Sequence, residues 1–118
     1  MNQKKSFSER NRARCESPNG FNHELDSWST SDWMTAVTGE LGEACNIVKK
    51  LNRIRDGIPG NDPWTESEEQ LLEALASELA DVVIYLDLAA QALGFSLEEI
   101  REIKFQKTSK KIGYKEEE

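Results

Sequence analysis

The 118-residue sequence has few of the residues that staple small folds together: two cysteines, one histidine and three prolines. Cys15 and Cys45 lack CxxC spacing and His23 stands alone, so a disulfide framework or a zinc site is excluded. Both cysteines are read as reduced thiols, Cys45 as a small core residue. No apolar run approaches the roughly 20 residues that cross a bilayer, and MNQKKSFSER has no apolar stretch of the signal-peptide kind. The expectation is a cytoplasmic protein with no membrane partner. Positive charge is also in deficit, 15 Lys+Arg against 22 Asp+Glu, and a formal charge of −7 argues against a nucleic-acid partner. Period-2 alternation never lasts beyond a few residues, and no internal repeat or low-complexity block is present.

What the chain does have is helical periodicity. Its length suits a single domain, and 37% hydrophobic residues are enough for one thin core that self-association would help to complete. Residues 1–27 are polar, with a short helix over Ser8–Cys15 and a turn at Pro18-Asn19-Gly20, and read as an accessory segment. From Ser31, Trp33, Val37, Leu41, Ala44, Val48 and Leu51 recur at three- and four-residue steps, which predicts an amphipathic helix ending near Asp56-Gly57. Two Gly and two Pro between Gly57 and Trp64 interrupt it with a surface loop. Ser67-Glu-Glu-Gln70 reads as a capping box opening a helix that buries Leu72, Leu75, Leu79, Val82, Val83, Leu86 and Leu93 and stops at Gly94. Ser96-Leu-Glu-Glu99 opens a last helix toward Gly113, leaving residues 115–118 as a tail. The fold class is all-α, a helical bundle over residues 28–114.

Two of these helices carry acids at i, i+3: Glu40 and Glu43 on the first, Glu78 and Asp81 on the second. A step of three residues turns a helix about 300°, so each pair shares one side within about 60° of arc. Both pairs border the apolar stripes and are able to face one another across the helix packing. Four carboxylates converging in a partly buried place require protonation or a cation. All-oxygen ligands favour Mg²⁺, with Mn²⁺ as a substitute, and Mg²⁺ sites of this kind combine carboxylates with substrate phosphates. Di-iron bundles need Glu-x-x-His motifs, and His23 lies outside the bundle. The competing reading is a solvated, salt-bridged face.

Gly39-Glu-Leu-Gly-Glu-Ala44, Glu78-Leu-Ala-Asp-Val-Val-Ile-Tyr-Leu86, Lys104-Phe-Gln-Lys-Thr-Ser109 and Gly113 together resemble the MazG-like, all-α nucleoside triphosphate pyrophosphohydrolases over roughly residues 28–114. The resemblance implies that Glu40, Glu43, Glu78 and Asp81 bind Mg²⁺. It also implies a bundle that assembles as a dimer or tetramer, and a nucleoside triphosphate cut to monophosphate and pyrophosphate. Gln106 stands where that family usually has Asn, which leaves room for the alternative of a catalytically silent bundle serving as a nucleotide sensor or a dimerising module.

Further residues follow from these elements. Glu43 is the choice for accepting a proton from the attacking water. Lys50, seven residues after Glu43, shares its stripe and is placed for a phosphate oxygen. Lys104, Lys107 and Lys111 form a basic strip suited to a triphosphate. Tyr85 continues the carboxylate stripe, and Trp33 is either core or a stacking platform for a base, with Trp28 and Trp64 less placed to line a pocket mouth. Val82–Leu93 is apolar nearly all round, so Ile84 and Leu88 are expected to be exposed in one chain and covered in a homo-oligomer.

Overall fold

A computed structural model describes residues 4–58 and 66–117. Among them are four α-helices, α1 (Phe7–Glu16), α2 (Thr30–Arg55), α3 (Glu68–Ala92) and α4 (Leu97–Ile112), one 3₁₀ turn at Leu25–Ser27 and no strand. The all-helical architecture expected from the periodicity is present. Trp64, in the loop after α2, lies outside the described residues.

Local chemistry sets most helix ends. Ser6 and Glu9 cap α1 reciprocally, an arrangement that satisfies two backbone donors at once. Ser67 and Gln70 do the same for α3, with the Ser67 N–H donating to Gln70 Oε1 and the Gln70 N–H to Ser67 Oγ. At the other end of α3, Gly94 has φ +86, a left-handed conformation that glycine adopts without a Cβ penalty. There Phe95 N–H donates to Ala90 O and Gly94 N–H to Gln91 O, closing the last carbonyls. Ser96 Oγ caps α4 by accepting from the Glu99 N–H.

The chain divides into two compact units, residues 31–86 and residues 1–30 with 87–118, and α3 contributes to both. In the first, α2 and the N-terminal part of α3 run antiparallel: Glu40 meets Glu78 and Asp81, while further along α2 Lys50 meets Glu66. Trp33, Val37, Ala44 and Leu71 are its buried residues. Leu41, Val48, Leu72, Leu79 and Val83, expected in the core, are instead 38–52% exposed, and Cys45 is exposed too. The reason is rotational. At about 100° per residue, Leu41, Val48 and Met34 sit roughly 40–90° round α2 from the buried stripe, and Leu72, Leu79 and Val83 sit comparably round α3. Two antiparallel helices turned in the same sense bring these stripes to the same side. The hairpin therefore carries a second apolar face, while Glu43 and Asp81 turn the opposite way.

In the other unit the N-terminal segment folds back along α1. His23 N–H donates to Cys15 O, Phe21 N–H to Arg14 O, and the buried Cys15 thiol donates to His23 O at 3.2 Å. Gly20 lies against this turn, where a Cβ would come within 1.9 Å of Arg14 O. Leu25 is buried, and His23 packs edge-on against Trp28 with ring centroids 4.3 Å apart. Leu88 is fully buried within the single chain, so its burial requires no subunit interface, contrary to the expectation from the apolar run; Ile84 is half-buried. No single helix among the described residues is long and apolar enough to cross a membrane.

Candidate metal centre

The four acids singled out by spacing come together in the α2–α3 hairpin. One carboxylate oxygen from each of Glu40, Glu78 and Asp81 lies within 4.8 Å of the others, and all three residues are half-buried. Glu43, exposed on the next turn of α2, is within hydrogen-bonding reach of Glu40 and Glu78. Glu40 belongs to the buried side of α2 rather than to its border: Trp33 lies two turns before it and Ala44 one turn after it, both buried. The Trp33 and Ala44 packing thus fixes the turn of helix that carries it.

Electrostatics show what this proximity costs. Burial, followed by the charges of Glu43 and Asp81, holds the Glu40 carboxyl above the ordinary glutamate range, and a hydrogen bond with Glu78 opposes that shift in part. Burial raises Glu78 as well, and the carboxylate of Glu43, then Glu40 and Asp81, add to it. Without a cation Glu40 and Glu78 therefore hold their protons to a higher pH than free glutamates do. One oxygen, Oε2 of Glu78, is shielded from solvent and has no hydrogen-bond partner among the described residues. A shielded carboxylate oxygen with no donor, among acids on two helices and no Cys or His, suits a hard divalent cation. A solvated face would leave such an oxygen in water.

The other residues distribute differently. Trp33 is 3% exposed, which places its ring in the core and not on a surface open to a base. Tyr85 is half-buried two turns after Glu78 on the same stripe of α3. Lys50 is exposed, and its ammonium lies 3.5 Å from Glu66. Lys104 and Lys107 are exposed on α4, which belongs to the other unit. Gln106, at the position of departure from the MazG-like pattern, donates to Glu102 Oε1 at 2.9 Å one turn back on α4. Trp28 is partly exposed beside His23.

One buried acid escapes the reading by periodicity. Asp87 is 2% exposed and accepts from Ser8 Oγ at 2.5 Å, Asn11 Nδ2 at 2.9 Å and Gln91 Nε2 at 2.9 Å. Its signal in the sequence is a lone acid in the otherwise apolar stretch from Val82 to Ala90. Comparison with protein-family models, with curated proteins and with solved structures finds no match for this chain.

Proposed function

We propose that the protein is a Mg²⁺-dependent nucleoside triphosphate pyrophosphohydrolase. The observation that carries the reading is the convergence of Glu40, Glu78 and Asp81, with Glu43 beside them and Glu78 Oε2 buried without a donor. The resemblance of the ExxE, ExxD and Lys-Phe-Gln-Lys blocks to MazG-like enzymes supplies the reaction class. Glu40, Glu78 and Asp81 are the residues to hold the ion. When bound, Mg²⁺ (or Mn²⁺) supplies charge neutralisation of the polyphosphate and acidification of a bound water.

The chain's own groups do the rest. Glu43 is exposed at the edge of the cluster and accepts the proton of the water that attacks the α-phosphorus. A bond forms from the water oxygen to phosphorus, the bond to the bridging oxygen breaks, and pyrophosphate leaves with the electron pair. Lys50, whose partner Glu66 is itself more than half exposed, is free to exchange that surface pair for a phosphate oxygen at little cost. Tyr85, on the same stripe of α3 as Glu78, offers a hydroxyl beside the sugar. The exposed apolar face of the α2–α3 hairpin fits a second copy of the chain, as a dimer or as half of a tetramer, because two such faces pack into a four-helix arrangement.

The test is pyrophosphate release with Mg²⁺ over a panel of ribo-, deoxy- and modified nucleoside triphosphates, with Asp81→Ala alongside. Monophosphate and pyrophosphate from the wild type, and neither from the variant, is the expected result. Folded protein that turns over no member of the panel refutes it. Gln106, tied to Glu102 instead of standing as the family's Asn, favours a silent nucleotide sensor as the second reading. Its signature is Mg²⁺-dependent nucleotide binding without product.

A further inference from the structure

Between Ile103 and Lys115 the chain holds five lysines and no acid, within a protein whose formal charge is −7. Four of them, Lys104, Lys107, Lys110 and Lys111, belong to α4 and are exposed. At about 100° per residue they fall with Ile100 and Ile103 inside one arc of about 120°. Ser109, the buried residue of α4, lies on the opposite side, and Glu98, Glu99 and Glu102 fall outside the arc. None of the four lysines has an acid three or four residues away. Among the described residues, none of their ammonium groups has an ion-pair or hydrogen-bond partner. Lys107 instead has Lys104, Lys110 and Lys111 as its neighbours at those steps, an arrangement that destabilises a helix by like-charge repulsion. Nothing among the described residues offsets that repulsion.

We infer that this face of α4 docks on an anionic lipid surface, with the lysines against the headgroup phosphates and Ile100 and Ile103 at the acyl boundary. The two isoleucines are 40% and 67% exposed, and apolar side chains set among lysines on one helix face suit shallow burial at a bilayer surface. The arc runs about 16 Å from Ile100 to Lys111, longer than a single triphosphate and suited to an array of headgroups. No aromatic side chain shares it, so it offers nucleobases nothing to stack on. The negative charge of the whole chain does not prevent approach, because the Debye length in physiological salt is about 8 Å and a facing surface meets the local charge first. Surface docking needs no spanning helix, so the expectation of no membrane partner, which rested on the absence of a span, does not bear on it. This docking is independent of the metal centre and of the reaction proposed above.

Co-sedimentation of the full chain with vesicles tests it, comparing phosphatidylcholine alone with phosphatidylcholine mixed with phosphatidylserine. EDTA is present throughout, so that no divalent ion bridges the Glu40 cluster to the lipid. The expected result is a partition coefficient at least about tenfold higher on the anionic vesicles, falling as salt is raised. Lys107→Ala with Lys111→Ala removes two charges while keeping good helix formers, and should lower anionic binding by about tenfold or more. Lys107→Arg with Lys111→Arg should retain it, and Ile103→Ser should weaken it severalfold with the same salt dependence. Circular dichroism establishes that each variant keeps its helix, and Lys107→Gln with Lys111→Gln decides should the alanine pair unfold. Equal partition onto the two kinds of vesicle overturns the proposal, as does a folded alanine pair that binds like the wild type. Labelled single-stranded and duplex oligonucleotides run alongside by fluorescence anisotropy. Tighter binding to these than to the anionic vesicles, lost in the alanine pair, assigns the face to nucleic acid and overturns lipid docking.

Discussion

Neutralising one carboxylate of the cluster should stabilise the metal-free protein. Glu40 is the informative position because burial and two neighbouring charges raise its carboxyl. Two carboxylate charges at the 4.8 Å limit of the cluster repel by about 0.9 kcal/mol in a fully aqueous dielectric and by about 3.5 kcal/mol at an effective dielectric of 20. The site is half-solvated, so screening puts the gain for Glu40→Gln near the lower figure, about 1–2 kcal/mol, or roughly 3–8 °C in Tm. The sign follows from linkage. A carboxyl whose folded value is raised leaves the folded state unpenalised below the unfolded value, and stability falls as pH rises through that value toward the raised one. In EDTA the stability advantage of Glu40→Gln over the wild type should thus grow on going from acid to neutral pH. Mg²⁺ reverses the order. At one hundred times its Kd, an ion bound only by the folded protein adds about 2.7 kcal/mol to the wild type, and Glu40→Gln should lose most of that gain. Thermal denaturation in EDTA and in Mg²⁺, from pH 4 to 8, measures both. If Glu40→Gln melts lower than the wild type in EDTA, or if Mg²⁺ raises both equally, the cluster is not a repulsive cation site.

Three other outcomes follow from the packing. Leu88→Ala removes a fully buried side chain and should cost about 2–5 kcal/mol in urea unfolding, while Leu72→Ala, half exposed, should cost under about 1 kcal/mol when measured on monomer. Equal losses would show that Leu88 is not in a packed interior. Leu41→Glu with Leu79→Glu places charges on the second apolar face, and, if the self-association proposed above holds, sedimentation should show a folded monomer where the wild type assembles. An assembly unaffected by both substitutions puts the interface elsewhere. Burial, with Glu16 and Glu24 beside it, pushes the Cys15 thiol up, so an aromatic disulfide reagent should leave it untouched until the protein unfolds. Rapid native reaction at Cys15 would contradict the docking of the N-terminal segment.

The sequence by itself determined the helices, because their signals are local. Ser67 with Gln70, Ser96 with Glu99 and the left-handed Gly94 and Gly113 act over a few residues, so α2, α3 and α4 fall within a residue or two of where periodicity put them. The i, i+3 acids were legible for the same reason, since one helix turn fixes which side they share. Tertiary structure decided which part of each apolar arc is interior. The arcs on α2 and α3 are wider than one partner helix covers, so Trp33, Val37 and Ala44 are buried while Leu41 and Val48 remain exposed, and Cys45 falls outside the core. That choice of face also set Glu40 among buried neighbours and left Glu78 Oε2 without a donor. Only a contact between distant segments accounts for Asp87: the donors Ser8 and Asn11 lie 79 and 76 residues away in the chain. Periodicity has no access to such pairs, because burial of a charge depends on what the rest of the chain brings to it.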